Sequence, residues 1–187
     1  MAFEFTAEET VPESLTRCAR EQHDRAIHQL TDEIRSEPAE AVHAARKAIK
    51  KERAVLRLAR AALPRQERRR QNGMLREAAR RVSASRDAEV VAQALEQLSA
   101  RFAGQLPERA FHAARAQLQP ERGETAGAAK ELRSAEEAVE LLQEARVRVD
   151  RLRFGGDGWD AIEPGLRRTF KRGRRTFTRE LPELHRP

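Results

Sequence analysis

The chain is expected to fold as an all-α helical bundle of about six to eight helices. Three observations lead there. Ala, Leu, Arg and Glu dominate its 187 residues, whereas the strand-favouring aromatics are few, with seven Phe, one Trp and no Tyr. Apolar residues recur at spacings of three and four along most of its length. The interruptions are short and rich in Pro, Gly or Ser, and helical hairpins with short loops pack as antiparallel neighbours.

The first helix is expected from about Pro12 to Arg35. Thr10 caps it, and Pro12 falls in the first turn, where a missing N–H does no harm. Leu15, Cys18, Ala19, Ile27, Leu30 and Ile34 mark its apolar side. A second helix starts at Pro38 and ends near Leu63-Pro64. A third covers about 65–83, with Arg65, Arg69, Gly73, Arg76 and Arg80 on one face. Ser83-Ala84-Ser85 reads as a break. Beyond it Asp87 is placed to cap a fourth helix over about 88–103, apolar along Val90, Val91, Leu95 and Leu98. A shorter helix near 107–118 follows. GETAG at 123–127 reads as a loop, 128–152 as a long helix and FGGDG at 154–158 as a flexible turn. The last helix starts at about Pro164, with Arg168, Arg172, Arg175 and Arg179 on one side. Leu166, Phe170 and Phe177 lie on the other and are expected to enter a core.

This length suits a single domain over 1–187. The lone cysteine, Cys18, excludes an internal disulfide. No apolar run approaches the roughly 20 residues of a membrane span, and MAFEFTAEET does not read as a signal peptide. No membrane partner is therefore expected, and a cytoplasmic location is.

Charge is segregated. Residues 42–81 carry fourteen Lys/Arg against three Asp/Glu, and 166–179 carry seven against none. Residues 1–41 hold ten acids and four Arg. Thirty-two of the 37 cations are Arg, whose planar fork of donors suits phosphate. The second helix concentrates this pattern. His43, Arg46, Lys47, Lys50, Lys51, Arg53 and Arg57 lie within about 80° of His43 around the axis. Val42, Ala45, Ala48, Ile49, Val55, Leu56 and Ala59 take the opposite side. Like charges at i, i+3 and i+4 repel, a cost that an anionic partner relieves.

The segment His43-x-x-Arg46-x-x-Ile49-Lys50-Lys51-x-Arg53-x-x-Leu56 carries a resemblance to a known family. The downstream pair Arg86-Asp87 before an apolar helix and Trp159 followed by GLRRTFKRGR (165–174) extend it. In this order they resemble the CHAD family, the conserved histidine α-helical domain, over about residues 15–180. That resemblance implies a helical bundle of two similar halves around a basic groove or pore, binding inorganic polyphosphate. Some family members are fused to triphosphatase domains. It carries the family's histidine and basic residues onto His43, Arg46, Lys50, Lys51 and Arg53, and its later basic stretch onto Arg168, Arg172 and Arg174. Leu184-His185 look like the opening of a second signature, so the chain is expected to resemble the first half of a CHAD domain.

The expected function is non-catalytic binding of inorganic polyphosphate. The candidate contacts are His43, Arg46, Lys47, Lys50, Lys51, Arg53, Arg57, Arg76, Arg80, Arg168, Arg172, Arg175 and Arg179. Evenly spaced charges on a flexible chain can meet many cations at once, with strong salt dependence. Association with polyphosphate granules and a homodimer that completes the half-domain fit the same expectation. The alternatives are a nucleic-acid-binding helical protein and an accessory part of a polyphosphate or triphosphate phosphohydrolase. Few aromatics argue against single-strand stacking, though a helix in a major groove stays open. Arg86-Asp87 reads as a cap with an internal salt bridge. No metal and no cofactor are expected. Glu40-x-x-His43 has di-iron spacing without a second copy, GETAGAAK lacks the phosphate-loop Gly-Lys-Ser/Thr, and the remaining histidines form no zinc set.

Overall fold

The computed structural model describes residues 3–103, 105, 107, 109, 111–114, 124–156 and 158–180, and among these not the side chains of 84–93, 124–128, 130, 131 and 180. The described residues are helical, with no strand. The long helices are α1 (Val11–Thr31), α2 (Pro38–Leu58), α3 (Arg65–Arg101), α4 (Glu124–Arg151) and α5 (Glu163–Glu180). Single 3₁₀ turns, Glu33–Arg35 and Gly158–Ala161, precede α2 and α5.

Thr10 caps α1 as its sequence indicates. Its hydroxyl accepts from the Glu13 amide at 3.4 Å, and the Glu13 carboxylate accepts from the Thr10 amide at 2.8 Å, closing a capping box. The α-helix stops at Thr31, and the last turn of the expected helix tightens into 3₁₀. Pro38 forces this ending, because it drives Glu37 out of the helical region, to φ −134° and ψ 67°.

α2 ends at Leu58, short of the expected Leu63-Pro64. Ala62 and Leu63 stay buried, but in the turn that leads to α3. The Gly155 amide donates to Ala62 O at 2.8 Å and ties that turn to the segment after α4.

The expected break at Ser83-Ala84-Ser85 does not occur. α3 runs unbroken for 37 residues, so Asp87 lies inside a helix and not at the start of one. Ser83 satisfies its hydroxyl within the helix, donating to Ala79 O at 2.6 Å. The stretch holds neither Pro nor Gly, so two serines are too weak a stop. The short helix expected near 107–118 falls mostly outside the described residues, as do Asp157 of the FGGDG turn and Leu184-His185.

The core lies among α1, α2, α3 and α4. α1 packs on α2 and α4, and α3 on α4 and α2. Leu15, Ile49, Leu56, Leu75 and Leu142 are fully buried, each side chain stabilising by roughly 1.5–3 kcal/mol. Alanines at 19, 26, 45, 48, 78, 138 and 145 let the helix axes come close. Val42, Ala45, Ala48, Ile49, Val55, Leu56 and Ala59 are all buried, so α2 turns its apolar side inward as expected.

α5 departs from expectation. Leu166, Phe170 and Phe177 do not enter a core, and Phe170 is 68% exposed. Only the first turn of α5 rests on the body, where Gly165 is buried against α2. From Leu166 to Arg179 every residue is exposed, because no neighbouring helix among the described residues lies along the rest of its length.

Candidate anion-binding site

The candidate region is built where the end of α2 and the start of α3 meet one side of α5. α2 supplies Arg57 near its last turn, and the following turn supplies Arg60. The first two turns of α3 bring Arg65, Arg68 and Arg69, and α5 adds Arg168 and Arg172. These seven arginines, with Gly165, Thr169, Gly173, Thr176 and Phe177, line an open cleft of about 1240 Å³. Among the described residues no acidic side chain lines it. The amino end of α3 lies in the same place, and its positive dipole end and unpaired first-turn amides favour an anion there.

The approach of α5 depends on one glycine. A Cβ on Gly165 would lie 2.1 Å from Leu58 O and 2.5 Å from Arg57 O. Any side chain would push the helix, with Arg168 and Arg172, away from the end of α2.

Arg68 is the most confined cation of the cleft. Its Nε is buried without a hydrogen-bond partner. Burial and the neighbouring Arg60, Arg69, Arg65 and Arg168 hold its guanidinium below the ordinary arginine value. A buried donor left without an acceptor is costly, and a bound oxyanion would supply one. Arg53, half-buried on α2, donates from Nε to Asn72 Oδ1 at 3.0 Å. Burial, with Arg57 and Arg76 nearby, lowers its guanidinium too.

The other expected contacts are distributed around this centre. His43, Lys47 and Lys50 lie exposed further up α2, and Arg46 is half-buried there. None of these four lines the cleft. His43 is about 21 Å from Arg57 by helical rise. Lys51 sits over the Phe3 ring, 5.2 Å from its centroid. Arg76 is exposed, and Arg80 pairs with Glu77 at 2.6 Å. Arg175 lines a second, outer cleft of about 680 Å³ with Arg60, Arg167, Arg168, Lys171 and Arg172. Arg179 lies beyond it with Arg174 and Lys171. The side chains of Arg86 and Asp87 fall outside the described residues.

Arg60, Arg65, Arg68 and Arg69 were not singled out as contacts from the sequence. Arg65 and Arg69 were legible as members of one face of α3. Arg60 belongs to a turn, where helical spacing gives no direction. No group of His, Cys, Asp and Glu among the described residues could hold a metal, the Glu40–His43 pair included.

The fold and this cleft define a class: an all-helical protein whose cations converge on a polybasic surface. A family model for the CHAD domain matches residues 17–186, and the chain belongs to that family. Neither the curated proteins nor the solved structures yielded a match to it. Among the described residues no helix is long and apolar enough to cross a membrane.

Proposed function

We propose that the protein binds inorganic polyphosphate, without cleaving it, in the arginine cleft between α2, α3 and α5. The observation that carries this reading is the convergence of seven arginines with no acid beside them among the described residues, including the unpartnered Nε of Arg68. CHAD membership supports the same ligand. A flexible chain of phosphates can follow the cleft from Arg57 to Arg172 and continue over the outer face of α5 to Lys171 and Arg175. The exposed stripe of His43, Lys47 and Lys50 would extend the contact along α2. A cytoplasmic location, with association to polyphosphate granules, belongs to this reading. So does pairing of two copies, for which the mass in solution with and without ligand is the test.

The deciding experiment compares long-chain polyphosphate with duplex DNA at about 150 mM salt, close to physiological ionic strength. Much tighter binding of polyphosphate is expected. Equal affinity would favour a nucleic-acid partner, and release of orthophosphate with Mg²⁺ would overturn the non-catalytic reading.

A further inference from the structure

Helix α5 exposes apolar side chains that its periodicity directs to a core. Of the nine large apolar side chains exposed among the described residues, four lie between 159 and 177: Trp159, Leu166, Phe170 and Phe177. Trp159 sits in the 3₁₀ turn just before the helix and is 57% exposed. On α5 itself Leu166, Phe170, Gly173 and Phe177 fall within about 60° around the axis. They form one apolar stripe along a helix that rests on the body only through its first turn.

The other sides of α5 are cationic or carry threonine. Residues 166–179 hold seven Arg/Lys and no acid. Arg167 and Arg174 border the stripe on one side, and Lys171, Arg175, Arg168, Arg179 and Arg172 continue round the helix from there. Thr169 and Thr176 border the other side. Their hydroxyls donate within the helix, to Gly165 O at 2.9 Å and Arg172 O at 3.2 Å, so neither needs water as an acceptor.

Whatever covers the stripe must also suit these cations. Polyphosphate supplies anions but no apolar part, and it would leave the stripe in water. The α5 of a second copy supplies an apolar stripe, but sets seven more cations against the first seven. The surface of an anionic bilayer supplies both: headgroup phosphates for Arg and Lys, and acyl chains just below them for Leu and Phe. Tryptophan is enriched at that depth. No helix among the described residues is long and apolar enough to cross a membrane, but lying along a surface requires only one apolar side.

We propose that α5 is a peripheral anchor that lies along an anionic lipid surface, with Leu166, Phe170 and Phe177 inserted below the headgroups and its cations on lipid phosphates. Arg168 and Arg172 also line the cleft, so polyphosphate competes with the bilayer for this helix. The competition rests on the polyanion reading above; the anchor does not.

Co-sedimentation of the full chain with vesicles of phosphatidylglycerol and phosphatidylcholine in equal parts tests it, at about 150 mM salt. Vesicles of phosphatidylcholine alone are the comparison. Binding to the anionic vesicles only is expected, with a blue shift of Trp159 emission. Leu166→Gln combined with Phe170→Gln should lower vesicle affinity about tenfold or more, because the buried apolar area is lost. Neither side chain lines the cleft, so affinity for polyphosphate should be retained, and both are exposed, so the circular dichroism spectrum should be too. Absence of binding by the wild type overturns the anchor. Unchanged vesicle affinity in the variant overturns it as well, since the contact would then be charge alone. A wild type that binds no vesicle, and whose mass falls to one chain on the two substitutions, would assign the stripe to a second copy and overturn the anchor. Release from vesicles by excess polyphosphate supports the competition, and retention overturns it. Vesicle binding without any polyphosphate binding would overturn the polyanion reading and leave the anchor standing.

Discussion

Gly165 lies so close to Leu58 that an added methyl would approach the Leu58 carbonyl oxygen to 2.1 Å. This contact lets α5 rest on α2, and it sets the position of Arg168 and Arg172 in the cleft. Gly165→Ala is expected to lift α5 from the body without unfolding it, since the core lies among α1 to α4. The single tryptophan, Trp159, precedes α5 in the 3₁₀ turn, so its fluorescence should shift. Trypsin should cut 163–180 faster than in the wild type, and polyphosphate affinity should fall several-fold. Unchanged fluorescence and proteolysis would show that α5 is not seated through this glycine.

Arg68 and Arg172 occupy opposite walls of the cleft, on α3 and α5. Replacing either by Ala should weaken polyphosphate binding and reduce the slope of log affinity against log salt by about one, the signature of a lost phosphate contact. Lys50→Ala, on the exposed stripe outside the cleft, should have the smaller effect. The reverse ranking, from affinities at three salt concentrations, would move the site to the stripe.

Acid should unfold the protein through specific carboxylates. Hydrogen bonds from Arg17 and Ser14 hold Glu9 at about 2, and those from Arg80 and Arg81 hold Glu77 at about 2. In the unfolded chain both titrate near the ordinary 4.5. The native state thus binds fewer protons between these values, and its stability falls as pH drops from 4.5 through 2. Arg17→Gln should flatten part of that decline, read as melting temperature against pH. Parallel curves for variant and wild type would show that Glu9 contributes nothing to it.

The continuity of α3 can be tested at Ser83. Ser83→Ala should leave helical content unchanged, because the hydroxyl donates to Ala79 O in its own helix. Ser83→Pro should cost about 3 kcal/mol and reduce the helical circular dichroism signal. A proline tolerated there would mean that the helix is interrupted after all.

In the core, Leu142 is fully buried between α4 and its neighbours. Leu142→Ala should lower unfolding free energy by roughly 2–5 kcal/mol, measured by urea titration. A loss below 1 kcal/mol would indicate a core able to collapse around the gap.

Much of this architecture was legible in local pattern. The capping box at Thr10, the proline start of α2 and the inward apolar side of α2 follow from rules that act within a turn or two. The buried polar cluster of His23, Glu52 and Gln71 left a trace as well. Glu52 falls diametrically opposite His43, amid Ala48, Val55 and Ala59, and the apolar side of α1 is interrupted at Gln22 and His23. Each interruption alone reads as a tolerated polar residue; only the fold brings them together across three helices. Ser83 and Ser85 misled because stop signals are weak where a helix is held by its neighbours.

Taken alone, the sequence determined the all-helical class, the starts of α1, α2, α3 and α5 and the segregation of charge, because periodicity and capping are local properties of the chain; the start expected near 88 does not exist, and α4 begins at Glu124, inside the expected GETAG loop. It also carried the CHAD signature. The tertiary structure decided which cations meet. Arg60, Arg65, Arg68 and Arg69 join Arg57, Arg168 and Arg172 because a short turn brings α2 and α3 ends together and Gly165 admits α5. Convergence of charges from segments a hundred residues apart depends on packing distances, and those distances exist only once the core has formed.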